Sequence, residues 1–138
     1  MNVLAIDYGT KRIGLATGDT ELGVARPLPF VDAAPKKAAL AAVAGVAKTE
    51  RAGLLLIGLP RHMDGSLGTV AEEVKAFAAD LEKASGLKVK FTDERLSTVQ
   101  AGRMLHEAGR NSKKQRPLID SMSAVVMLQS YLDGLQIG

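Results

Sequence analysis

Short apolar runs separated by turn-forming residues fill the first third of the chain, and longer segments with helical periodicity follow. The first run, Val3–Ile6, lacks the polar alternation of a half-exposed strand, which predicts a central strand covered on both faces. Gly9 and Gly14 bracket the residues that come next, which predicts a hairpin that returns into a second strand over 13–17. The first strand therefore delivers Asp7 into a tight turn.

The third predicted strand, over 24–31, contains Pro27 and Pro29. Proline donates no hydrogen bond to a ladder, so this strand is expected at a sheet edge. The remaining predicted elements are a helix over 35–51, a buried strand over 54–58, a helix over 69–84 that ends near Gly86, a strand over 87–92, a helix over 97–109, and a last helix that begins near Pro117. The last helix carries an apolar stripe of Leu118, Met122, Val125, Leu128, Leu132 and Leu135.

This order of elements, three strands followed by alternating helices and strands, indicates an α/β protein with a mixed sheet and helices on both faces. The 138 residues contain no internal repeat and no linker long enough to divide them. That length fits one domain around one core, so we expect residues 1–138 to form a single domain.

Composition narrows the chemistry that the chain can perform. Aromatic residues make up 4% of the chain and there is no Trp, so the core is built mainly from aliphatic side chains. The absence of cysteine excludes disulfides, thiolate metal sites and thiol nucleophiles. The two histidines, His62 and His106, form no ligand motif, which argues against a histidine-based zinc site.

The charge is mildly basic, at a formal net +3. Strand sequence follows Met1 almost at once, with no basic and apolar leader, and no apolar run approaches the length of a membrane span. We therefore expect a cytoplasmic protein without a membrane partner.

The segment 110–116 carries four cations and no acid, which makes a polyanion a candidate ligand.

Acidic residues occur where the predicted strands end. Asp7 ends the first strand, Asp93 and Glu94 follow the last one, and Asp120 lies in the first turn of the final helix. Ligand chemistry in an α/β sheet collects beyond the carboxyl ends of its parallel strands, so these acids are expected to share one rim. Oxygen ligands suit Mg²⁺ or Mn²⁺, and two such ions roughly 3.5 to 4 Å apart catalyse phosphodiester cleavage.

Each of these features also has a purely structural interpretation. Asp7 can cap its own turn, and Asp120 can interact with the dipole of the final helix. Asp93 or Glu94 can pair with Arg95 on the surface, and the basic segment can be a solvated loop. The residue pattern alone leaves these alternatives open.

A resemblance to a known family adds to this picture. It rests on four segments, in order along the chain: Asp7-Tyr-Gly-Thr-Lys-Arg-Ile-Gly-Leu-Ala16, Gly58-Leu-Pro-Arg-His-Met-Asp-Gly-Ser66, Asp93-Glu-Arg-Leu-Ser-Thr98, and Ile119-Asp120 leading into Leu128-Gln-Ser-Tyr-Leu132. These segments resemble the motifs of the YqgF family, also called RuvX, bacterial proteins described as candidate Holliday junction resolvases or pre-16S rRNA nucleases. The resemblance implies an RNase H-like fold with strand order 3-2-1-4-5 and an antiparallel second strand.

The resemblance also implies roles for individual residues. Asp7, Glu94 and Asp120 are the implied catalytic acids and metal ligands, with Asp7 bridging two ions of Mg²⁺ or Mn²⁺. Strand parity does not decide between Glu94 and Asp93, and Asp64 can hold a turn or bind metal. The expected nucleic-acid contacts are Lys11, Arg12, Arg95, Arg110, Lys113, Lys114 and Arg116. The departures from the family pattern, at Arg61, His62 and Pro117, leave the acids in place.

The leading functional hypothesis is a metal-dependent nuclease acting on structured nucleic acid. The resemblance alone favours processing of the 5′ end of pre-16S rRNA over cleavage of four-way DNA junctions, so RNA is the expected partner. A resolvase would need two active sites and hence a homodimer, whereas an RNA nuclease can be a monomer. Two further alternatives are a non-catalytic ribosome-assembly factor and a nucleotide-dependent kinase, since residues 7–10 also resemble the phosphate loop of the actin and sugar-kinase superfamily.

Overall fold

The computed structural model describes residues 1–9, 11–59, 69–93 and 121–137. Its elements, in chain order, are β1 (Asn2–Tyr8), β2 (Arg12–Asp19), β3 (Ala25–Asp32), α1 (Lys36–Thr49), β4 (Ala52–Leu59), α2 (Thr69–Ser85), β5 (Val89–Asp93) and α3 (Met122–Ile137). The predicted helix over 97–109 and the predicted helix start near Pro117 lie outside the described residues. Gly86 has a φ of 74° directly after α2, which confirms the predicted end of that helix.

The five strands form one sheet in the order β3-β2-β1-β4-β5. β2 is antiparallel to both of its neighbours, whereas β1, β4 and β5 run parallel. The strand order and the antiparallel second strand confirm the fold that the family resemblance implied. β3 is an edge strand, as its two prolines predicted, because only an edge tolerates missing ladder donors.

Helices cover both faces of this sheet, and β1 shows how its residues are divided between them. Leu4 and Ile6 belong to a cluster formed with α1 and α2, whereas Val3 and Ala5 pack with Leu128 and other residues of α3. All four β1 residues are fully buried. Side chains alternate along a strand, so the two clusters define an α1–α2 face and an α3 face of the sheet.

The apolar stripe of α3 is shorter than the sequence predicted. Val125, Leu128 and Leu132 are buried, but Leu135 is 45% exposed. No helix in the described ranges has both the length and the apolar character needed to cross a membrane.

Two polar side chains attach α3 to the β2–β3 pair. At its start, the Ser121 hydroxyl accepts the Leu15 N–H (3.0 Å) and donates to the Leu28 carbonyl oxygen (2.6 Å). Leu15 and Leu28 are register partners, so the hydroxyl bridges the two strands. Two turns later, the Gln129 side chain accepts the Ala25 N–H (2.9 Å) and donates to a carbonyl at the β2–β3 turn (2.8 Å).

Replacing Ser121 with Ala tests the first of these attachments. The change leaves the buried Leu15 N–H without its partner, which should lower the free energy of unfolding by about 1–3 kcal/mol. Ser123→Ala is the matched control, since Ser123 is half-buried in the same helical turn, and we expect a change within about 0.5 kcal/mol. Urea unfolding measures both, and equal small effects would contradict the bridging role of Ser121.

Candidate active site

Asp7 lies near the carboxyl end of β1, the strand end at which the sequence predicted it. Its neighbours Ile6 and Tyr8 both pack into the cluster on the α1–α2 face, and the Tyr8 ring lies 5.0 Å from that of Phe77 between centroids. Because side chains alternate, Asp7 is on the α3 face. It is half-buried.

The Asp7 carboxylate makes no hydrogen bond or ion pair with the described residues. Neither Gly9 nor Lys11, the described residues of its turn, donates to it. The capping interpretation therefore gains no support from the described part of the turn. A half-buried carboxylate whose oxygens accept no hydrogen bond from the described residues suits a hard divalent cation, so Asp7 fits the predicted metal chemistry.

Glycines flank Asp7 on both sides in the sheet. Gly14 of β2 is its register partner, and Gly58 of β4 lies one position beyond the Ile6–Ile57 pair. Leu56 packs on the α3 face, so alternation places Gly58 on that face as well. On this face, the positions on either side of Asp7 therefore carry glycine backbone and no side chain. Such positions are typical where a ligand approaches a strand closely.

Sequence reasoning missed this arrangement. It assigned Gly14 to a turn and Gly58 to the end of a strand, without relating either to Asp7. The signal was present, because each glycine interrupts a strongly apolar strand near one end. The alignment of the two glycines with Asp7 becomes visible only in the strand register of the structure.

Two of the cations predicted to bind nucleic acid lie in the turn that follows Asp7. Lys11 and Arg12 are exposed at the β1–β2 turn. The Lys11 carbonyl accepts the Ala33 N–H (2.9 Å), which ties the turn to the end of β3. Arg12 lies two positions before Gly14 in β2, so it shares the α3 face with Asp7, and its guanidinium carbon is 5.1 Å from the centroid of the Phe30 ring.

The α3 face continues onto β5. Lys90 pairs with Leu56, and its ammonium lies 5.0 Å from the centroid of the Tyr131 ring on α3. Thr92, two residues later, pairs with Gly58. Thr92 is therefore on the face that carries Asp7, one strand beyond the glycine.

The other predicted site residues fall outside the described ranges: Glu94, Arg95, Arg110, Lys113, Lys114, Arg116 and Asp120, together with His62 and Asp64. Within those ranges, no three His, Cys, Asp or Glu side chains come close enough to hold a metal ion. The ranges include one of the three predicted ligands, Asp7. The structure thus places Asp7 and Arg12 on one face of the sheet, with Lys11 exposed at the adjoining turn.

Comparison with known proteins shows which family and which relatives the chain is similar to. The family described as "RuvX: Holliday junction resolvase" matches residues 1–134. A protein of Anaeromyxobacter sp. (strain Fw109-5) named "Putative pre-16S rRNA nuclease" is 42% identical over 134 residues, covering 97% of this chain and 98% of its own. A protein of the same name from Moorella thermoacetica is 43% identical over 135 residues, covering 98% and 96%.

Solved structures show the same fold at lower identity. Thermus thermophilus RuvC in complex with a Holliday junction substrate matches with a TM-score of 0.59 and 19% identity, over 100% of this chain and 96% of that one. The Fowlpox virus resolvase in complex with Holliday junction DNA matches with a TM-score of 0.55 and 13% identity, over 98% and 99%. The five-stranded sheet is thus that of the RuvC-like RNase H fold, and, with its match across residues 1–134, the chain belongs to the RuvX family.

Proposed function

We propose that this protein is a divalent-metal-dependent nuclease that hydrolyses phosphodiester bonds in structured RNA, acting at the 5′ end of pre-16S rRNA. The observation that carries the proposal is Asp7, a half-buried carboxylate without a hydrogen bond to the described residues, set between two glycines at the end of the central strand. The name of the relatives at 42% and 43% identity supports the RNA substrate.

Glu94 and Asp120 complete the proposed acid set. Lys90 and Thr92 lie on the α3 face, and continuing this period of two along the chain favours Glu94 over Asp93 as the acid beside Asp7. Asp120 immediately precedes Ser121, whose hydroxyl is bonded to Leu15, the residue next to Gly14. Both adjacent described segments thus lead toward the face that carries Asp7.

The proposed cofactor is Mg²⁺ or Mn²⁺, held as a pair by Asp7, Glu94 and Asp120. When bound, two such ions activate a water molecule and stabilise the leaving oxygen of a phosphodiester. Asp7 contributes a carboxylate in a fixed position on a buried strand, and the flanking glycines give the phosphate backbone access to it. Lys11 and Arg12 bind the phosphates and offset the negative charge of the acids.

The whole chain, residues 1–138, acts in this proposal as one catalytic domain in the cytoplasm. One active site suffices for an RNA cut, so a monomer is enough. Cleavage of four-way DNA junctions is a second candidate, favoured by the description of the family. It requires two active sites and therefore a homodimer.

Asp7→Asn separates catalysis from binding. Removing the ligand charge should reduce RNA cleavage in Mn²⁺ to the level measured with EDTA, while RNA affinity stays equal or rises because one repulsive charge is gone. Thermal unfolding should match the wild type, since the carboxylate makes no hydrogen bond with the described residues. Asp19→Asn is the matched control, because Asp19 lies at the opposite end of the sheet and accepts the backbone N–H of Leu22 (3.4 Å); its cleavage should be normal. An Asp7→Asn protein that still cuts contradicts the proposal.

The basic segment is tested by removing three of its charges, with Lys113, Lys114 and Arg116 changed together to Ala. RNA affinity should fall. The slope of log K against log salt should become shallower by about 2 to 3 units, because each of the three lost phosphate contacts contributes about 0.7 to 0.9. The control removes three exposed charges at the other end of the sheet, Lys48, Lys83 and Lys88. Filter binding across a salt series measures both variants, and equal slopes would remove the segment from the binding surface.

A further inference from the structure

The β2–β3 register contains an irregularity at the level of Asp7. Ile13 pairs with Val31 and Leu15 pairs with Leu28, so that two β3 residues, Pro29 and Phe30, lie opposite the single residue Gly14. Two residues of one strand opposite a single residue of its partner form a β-bulge. Gly14 is also the partner of Asp7, and the three strands therefore place Asp7, Gly14 and the bulge in one row.

Phe30 lies on the same face of the sheet as Asp7. Val31 and Leu28, on either side of the bulge, pack into the cluster on the α1–α2 face, so the residues opposite Gly14 belong to the α3 face. The contact with Arg12 agrees, because Arg12 shares that face. Two strand spacings separate Phe30 from Asp7, about 9.5 Å, and the residue between them is a glycine.

The Phe30 ring is not used as a core residue in the described structure. It is half-buried and belongs to neither apolar cluster, whereas Phe77 is fully buried against Tyr8. The covering helix also leads away from it, because α3 starts at the level of Leu28 and runs toward the opposite end of β3. The ring is thus a partly exposed aromatic surface with a guanidinium beside it.

We propose that Phe30 stacks on an unpaired base of the substrate, next to the nucleotide whose phosphate lies at Asp7. This inference rests on the proposed nuclease function and specifies its substrate class as RNA that is single-stranded beside the cut. Aromatic side chains bind unpaired bases of any sequence through their π faces, and a base inside a duplex does not offer its face. Arg12 supplies the positive charge for the adjoining phosphate, and Gly14, the residue between Phe30 and Asp7 in this row, contributes no side chain of its own.

The test compares two labelled RNAs with the full-length protein, a hairpin with a single-stranded tail and a blunt hairpin with the same number of phosphates. Binding is measured in EDTA, so that cleavage does not interfere. Phe30→Leu keeps apolar bulk and removes the ring, and it should weaken binding of the tailed RNA by about 5- to 100-fold while binding of the blunt hairpin changes less than about twofold. Phe30→Tyr should keep wild-type affinity.

Two further measurements make the test specific. Phe91→Leu is the matched control, because Phe91 is 40% exposed on the opposite face of the sheet, and it should bind both RNAs normally. An abasic nucleotide moved along the tail should weaken wild-type binding at one position and have no further effect at that position in Phe30→Leu. That loss of additivity is expected of a stacked pair and not of a local structural change.

The inference is overturned if Phe30→Leu binds the tailed RNA with wild-type affinity, or if it loses affinity for both RNAs equally. It is also overturned if the abasic nucleotide lowers the affinity of Phe30→Leu as much as that of the wild type. Failure of the wild type to bind the tailed RNA overturns it as well. Cleavage of the tailed RNA in Mn²⁺ separates the two proposals. Wild-type cleavage with no effect of Phe30→Leu rejects the stacking site alone, whereas tail-specific binding without cleavage rejects the nuclease alone.

Discussion

The burial of β1 between two layers of helices is the constraint on which the site depends. Four consecutive residues, Val3 to Ile6, are fully buried and alternate between two apolar clusters. A slip of the strand by one position would move each side chain into the cluster on the other face, where the packing is built for a different residue. The next residue, Asp7, is thereby fixed on the α3 face at the carboxyl end of the strand. The position of the acid thus follows from the packing of its apolar neighbours.

The surroundings of Asp7 depend on the same sheet. Gly14 and Gly58 lie beside the acid because β2 and β4 pair with β1 in a fixed register, and the bulge in β3 falls in line with them. Ser121 joins α3 to this region by bridging Leu15 and Leu28, which couples the start of the helix to the strand that flanks the acid. A single row of the sheet thereby combines a carboxylate, bare backbone and an aromatic ring.

Much of this architecture could be predicted from the sequence, and the parts that could not have a common cause. Local patterns located the strands, the edge position of β3 through its prolines, and Asp7 at a strand end. The bulge opposite Gly14, the alignment of Gly58 with Asp7 and the Ser121 bridge depend on pairing between distant residues, and Ser121 is 106 positions from Leu15. The expected burial of Leu135 was wrong for a similar reason, since helical periodicity does not show which positions of an apolar stripe the rest of the fold covers.

Cleavage by the wild-type protein is the most direct test of the central claim, that the face carrying Asp7 supports metal-dependent phosphodiester hydrolysis. A labelled pre-16S rRNA fragment and a four-way DNA junction are incubated with the protein in Mn²⁺, in Mg²⁺ and in EDTA, and the products are separated on a denaturing gel. The account predicts cuts near the 5′ end of the mature rRNA sequence that require the metal, with little cleavage of the junction. Binding of both substrates without any metal-dependent cut would contradict it.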